Sequence, residues 1–165
     1  MKIRCYTIQI GSVLCQYRRI LDNLYKISIQ ISMKLSKKSE YACLALIYLS
    51  KNYKNGYVKI ESIAEENNIP KKYLEQILLL LKGTGYVRSR RGSEGGYHLQ
   101  KNPSEITLAE IIRLMDGALA PVESVSKYFY ESTPIERSEK MLSLLQEIRD
   151  YIAKKLENTT FQELT

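Results

Sequence analysis

Residues 88–99, RSRRGSEGGYHL, concentrate the chemistry of this chain: Arg88, Arg90 and Arg91 stand directly ahead of Gly92, Gly95 and Gly96, and next come Tyr97 and the only histidine, His98. Glycines beside cations suit two kinds of phosphate contact. One is a loop that cradles a nucleotide phosphate, which needs a lysine after the glycines and a helix behind them. The other is a hairpin tip that approaches a nucleic acid backbone, where glycines allow close contact and guanidinium groups meet phosphates. An enzyme reading finds little support. There is one histidine, no G-x-S-x-G motif and no lysine directly after the glycine cluster.

The surroundings favour the hairpin. Tyr86 and Val87 on one side and Tyr97 and Leu99 on the other are strand-like ends joined by the glycine-rich turn. Ahead of them, IESIAEEN sets Ile60, Ile63 and Ala64 on one side of a helix. NNIP makes a short turn, with Pro70 suited to the first turn of the next helix, and KKYLEQILLLLKG sets Leu74, Ile77, Leu78 and Leu81 on one face before Gly83. Two short helices joined by such a turn form a helix-turn-helix, and a hairpin directly after it is a wing. The expected fold is therefore mainly α with a small β-hairpin wing: a winged helix-turn-helix domain and then a long C-terminal dimerisation helix.

The other elements obey the same logic. Ser36 caps a helix on which Tyr41, Leu44, Ala45, Tyr48 and Leu49 repeat at helical spacing, and NYKNG stops it. In ITLAEIIRLMDG, Thr107 and Glu110 form a capping box, Ile106 and Ile111 a staple, and Gly117 the stop. Residues 118–133 read as a loop. Thr133, Pro134 and Glu136 then announce a helix running to about Glu157, on which Met141, Leu145, Ile148 and Ile152 trace a stripe. The stripe suits pairing with another helix or packing back on its own domain. Thr160 and Glu163 are expected to cap one last short helix. Residues 1–32 differ from the rest, with Asp22 as their one acid and Val13, Tyr17, Ile20 and Leu24 at helical spacing. The second methionine, Met33, reads as the natural start and 1–32 as a non-native or poorly ordered extension.

At 165 residues and 44% hydrophobic, the chain suits one core with a helical appendage. Its net charge of +7 is concentrated. Lys71, Lys72, Lys82, Arg88, Arg90 and Arg91 face only Glu75 between Pro70 and Arg91, a basic patch suited to a phosphate backbone. No apolar run is long enough to span a membrane. Cys5, Cys15 and Cys43 are odd in number and irregularly spaced, which fits a reducing cytoplasm better than a disulfide framework.

MKLSKKSEYACLAL, ESIAEENNIPKKYLEQILLLLKGTGYVRSRRGSEGGYHL and PSEITLAEIIRLMDG together resemble the Rrf-two (Rrf2) family of bacterial winged-helix transcriptional regulators, the IscR/NsrR/CymR-like group. The resemblance runs from Met33 to Gly117 and, more loosely, to the C-terminus. It implies a homodimer whose long C-terminal helices cross, bound to a pseudo-palindromic site in double-stranded DNA as a repressor. By position it implies DNA contacts from Ser36, Lys37 and Lys38 on the first helix and from Lys71, Lys72, Tyr73, Glu75 and Gln76 on the recognition helix. On the wing it implies Arg90, Arg91, Gly92, Gly95 and Gly96, with Arg91 entering the minor groove. Arg88 and Arg90 are left open between the groove, solvent and acidic partners, Tyr97 reads as a packed strand residue, and His98 as structural or exposed.

Several relatives hold an iron–sulfur cluster through three cysteines in the loop before the long helix. Residues 118–133 contain no cysteine, and thiolates are what hold such clusters, so neither cofactor nor metal is expected. Cys43 reads as a core residue. The resemblance is nearest to the cluster-free, CymR-like branch, which leaves open control by a protein or small-molecule effector, including complex formation with a metabolic enzyme such as cysteine synthase. Tyr128, Phe129 and Tyr130 would line a ligand pocket or close the dimer. The rival reading is a protein-interaction adaptor on a winged-helix scaffold.

Overall fold

A computed structural model describes residues 34–165. The expectations for residues 1–32 and for Met33 as a start lie outside the described residues. The chain forms α1 (Lys37–Lys51), α2 (Ile60–Glu66), α3 (Lys71–Gly83), the strands β1 (Val87–Arg90) and β2 (Gly96–Leu99), α4 (Leu108–Asp116) and the long α5 (Glu139–Glu157). Helices α2 and α3 are the helix-turn-helix, and β1 and β2 pair antiparallel, Val87 opposite Leu99 and Arg90 opposite Gly96, as the wing.

The core lies where the helical faces converge. Leu74, Ile77, Leu78 and Leu81 of α3 are all buried, as their spacing requires, against Ala42, Leu46 and Leu49 of α1 and Ile63 of α2. On α1 the buried face is rotated from the expected one: Ser39, Ala42, Ala45 and Leu46 point inward, whereas Leu44 faces solvent. Pro70 occupies the cap of α3 rather than its first helical position, which leaves its fixed φ of −57° to set the entry of the helix.

The two expected capping boxes part company. At α4, Thr107 accepts from the Glu110 amide and Glu110 accepts from the Thr107 amide, and the Ile106–Ile111 staple is fully buried. At Thr133 the box does not close. The Glu136 carboxylate instead accepts the hydroxyls of Tyr130 and Ser132, each at 2.7 Å, and residues 134–137 make a 3₁₀ turn. The long helix therefore starts at Glu139, behind Ser138.

The expected last helix is a turn. Its strand-like approach lies along the entry of α4: Leu108 donates its amide to Thr159 at 2.9 Å, and Phe161 donates to Ile106 at 3.0 Å. This seats Phe161 in the core with no exposed surface, so the C-terminal segment straps the long helix to the winged domain.

Candidate nucleic-acid interface

Helix α3, the second of the helix-turn-helix, buries Leu74, Ile77, Leu78 and Leu81 and turns Lys72, Glu75 and Gln76 outward. None of these three side chains makes a hydrogen bond or ion pair among the described residues, so their donors and acceptors are free for a ligand. Lys71 is committed: its ammonium lies 2.6 Å from Glu61 on α2, and that carboxylate raises its pKa above the ordinary lysine value while its own is lowered. Tyr73 is half-buried, edge-on to Tyr41 with centroids 5.7 Å apart, which makes it a packing residue at the edge of the surface. Leu79, which the leucine run had concealed, is 69% exposed on the same side as Lys72 and Gln76.

At the start of α1 the expected contacts divide in the same way. The Ser36 hydroxyl accepts from the Ser39 amide at 3.1 Å and donates to Asp116, so its single proton is committed. Lys37 pairs with Glu40 at 2.5 Å, and that hydrogen bond raises its pKa. The Lys38 side chain has no such partner.

The wing arginines differ sharply from one another. Arg90 donates to the Glu94 carbonyl at 2.5 Å and lies over the Tyr57 ring. Arg88 lies over the same ring. Arg91 is exposed and makes no hydrogen bond, ion pair or ring contact among the described residues.

The glycines also sort by cause. A Cβ on Gly95 would stand 2.2 Å from the Arg90 carbonyl oxygen, and one on Gly96 would stand 2.2 Å from that of Val58, so both are needed for the hairpin to close on its neighbours. Gly92 has φ +102° and open space around it, the one wing glycine whose surroundings leave room for another molecule. Lys59, which no sequence motif singles out, donates to the carbonyls of Gly92, at 3.4 Å, and Ser93, bracing the tip. Tyr97 is half-buried against the core. His98 is buried, with ring nitrogens 2.5 Å from the Leu99 carbonyl and 2.8 Å from that of Tyr53.

Away from this surface, α5 divides into two sides at about 3.6 residues per turn. Arg149, Ala153 and Leu156 turn toward the chain's own domain. Of the expected stripe, Met141 and Ile148 lie on the other side together with Leu144 and Tyr151, whereas Leu145 and Ile152 stand one turn from Arg149 at the border of the inner side. Met141, Leu144 and Tyr151 are exposed large apolar side chains, and Leu145, Ile148 and Ile152 are half-buried. The loop before α5 is fastened by Arg149, which donates to the Val125 carbonyl, and by Asp150, which pairs with Arg149 at 2.9 Å and Lys127 at 3.1 Å. Tyr128, Phe129 and Tyr130 stand exposed on that loop.

Residues 35–165 match the family described as Rrf2, iron-dependent transcriptional regulator. The chain is 36% identical over 132 residues to the HTH-type transcriptional regulator CymR of Bacillus subtilis (strain 168), spanning 80% of this chain and 89% of that one. The solved structure of CymR, described as the global cysteine regulator of B. subtilis, is similar with a TM-score of 0.65 and 35% identity, covering 79% of this chain and 95% of that one. That of T. potens IscR gives 0.63 and 27%, covering 79% and 85%.

The family description raises the question of an iron site. Among the described residues no group of three or more His, Cys, Asp or Glu stands close enough to hold a metal. Cys43, their one cysteine, has its thiol pushed up to about 12 by burial and then by Asp116, which disfavours the thiolate a metal needs. These residues do not fit such a group. The match does cover the helix pair, the wing and the C-terminal strap, and on that span the chain belongs to the Rrf2 family of winged-helix, DNA-binding transcriptional regulators.

Proposed function

We propose that the chain acts in the cytoplasm as a homodimeric repressor, without an iron–sulfur cluster, on a pseudo-palindromic promoter element. The observation that carries the DNA geometry is the contrast between tied and free cations. Lys37 and Lys71 are neutralised by neighbouring carboxylates, whereas Lys72 on the recognition helix and Arg91 on the wing are unpaired. Free Lys72 serves a phosphate, and Glu75 and Gln76 have the donor and acceptor patterns that match cytosine and adenine edges in the major groove. Arg91 serves the minor groove, where a narrow, electronegative channel favours a guanidinium.

The dimer is supported by the outer side of α5. Met141 is 44%, Leu144 50% and Tyr151 75% exposed there, apolar surface that a second long helix would cover. A two-fold pair of wings then reads two half-sites, and a dimer seated on a promoter represses by occlusion. No described helix is long and apolar enough to cross a membrane.

Sedimentation of the wild type and of Leu144→Glu with Tyr151→Glu tests the assembly. The wild type sediments as a dimer and protects two half-sites of its promoter from cleavage, and the double variant is a folded monomer with weakened protection. A monomeric wild type protecting one half-site contradicts the proposal.

A further inference from the structure

Two wing arginines share one aromatic ring. The guanidinium carbon of Arg88 lies 5.7 Å from the Tyr57 ring centroid and that of Arg90 lies 4.5 Å from it. Alternation along β1 puts residues 88 and 90 on one face of the hairpin, so a single ring serves both. The ring itself is held. Val58, its neighbour, exchanges two 2.8 Å backbone hydrogen bonds with Tyr97, Lys59 is tied to the wing tip, and His98 packs beside the ring at 5.7 Å.

An aromatic face attracts a guanidinium without cancelling its charge. This differs from the carboxylates that occupy Lys37 and Lys71. Two like charges held near one another on a rigid support lose less freedom when they meet an anion than two free side chains do.

We propose that Tyr57 is a positioning residue for DNA binding, its ring holding Arg88 and Arg90 as a paired contact for the phosphate backbone beside the groove that Arg91 enters. The inference rests on the reading of the wing as a DNA-contacting element. It gives the three arginines separate tasks: Arg91 reads the groove, and Arg88 and Arg90 hold the backbone. Such a contact is insensitive to sequence and sensitive to salt.

The test is a fluorescence anisotropy titration of the full chain against a duplex from its own promoter over a salt series. It compares wild type, Tyr57→Ala, Tyr57→Phe, Arg88→Ala with Arg90→Ala, and that pair combined with Tyr57→Ala. Tyr57→Ala weakens binding about fivefold or more at low salt, and it lowers the magnitude of the log–log salt slope by about one. Tyr57→Phe restores both, and Tyr57→Ala adds nothing once the two arginines are gone. An unchanged affinity and slope in Tyr57→Ala overturns the inference. So does equal weakening in the arginine-free background, which would mean that the ring acts through the fold. Arg91→Ala on the same duplex separates the two readings: loss there with indifference at Tyr57 rejects this inference and leaves the wing reading intact, whereas indifference at all three arginines rejects both.

Discussion

Asp116, the last residue of α4, accepts both the backbone amide and the hydroxyl of Ser36, the cap of α1, the amide at 3.0 Å. Residues eighty apart in sequence thus fix where α1 begins. The carboxylate also brings negative charge to the positive end of the α1 dipole, the favourable sign.

Removing this link weakens the start of α1. Asp116→Ala is expected to cost about 1 kcal/mol of stability, the usual scale for losing a cap, read as a lower urea midpoint at unchanged slope. Asp116→Asn keeps an acceptor for the Ser36 amide and loses less. An unchanged midpoint in Asp116→Ala shows that the link contributes nothing.

The wing glycines separate fold from ligand. Gly96→Ala places a Cβ against the Val58 carbonyl and is expected to displace the hairpin, whereas Gly92→Ala meets open space and bears only the strain of φ +102°, about 1–2 kcal/mol. Thermal unfolding ranks them, with Gly96→Ala the less stable. Equal melting temperatures would mean that the close approach at Gly96 is easily relieved.

Asp150 gives a signature in acid. Its hydrogen bonds from Arg149 and then Lys127 hold its carboxyl at about 2, against an ordinary 3.8. A depressed carboxylate stabilises fully above its unfolded pKa, and the contribution fades as pH falls through the folded one. The clasp between α5 and the loop therefore persists at pH 4 and is lost toward pH 2. A carbon-detected NMR titration of Asp150 is expected to turn over near 2. A midpoint at the ordinary value would show that the clasp is absent in solution.

Much of the architecture was legible because its causes are local. The leucines of α3, the Thr107–Glu110 box and the Gly92–Gly96 turn each act within a few residues, and each forms as its spacing requires. The box at Thr133 has the same residue types but fails, because Tyr130 and Ser132 compete for the Glu136 carboxylate. Burial of Phe161 and the Asp116–Ser36 link depend on chain segments brought together only by folding, and no short-range spacing encodes them. At the interface, the basic cluster was visible, but not which cations are free. The partners that occupy Lys71 and steady Arg90 are Glu61 and Tyr57, ten and thirty-three residues away.

The free side chains of α3 and the wing are expected to bind a specific duplex, with Lys72 and Arg91 supplying the charge and Glu75 and Gln76 reading base edges. A titration of the wild-type chain against its promoter duplex and a shuffled duplex of equal length, across a salt series, tests it most directly. The promoter duplex is predicted to bind more tightly at every salt concentration, with log affinity falling steeply and linearly with log salt as counterions are released. Equal affinity for the two duplexes, or a flat salt dependence, would contradict it.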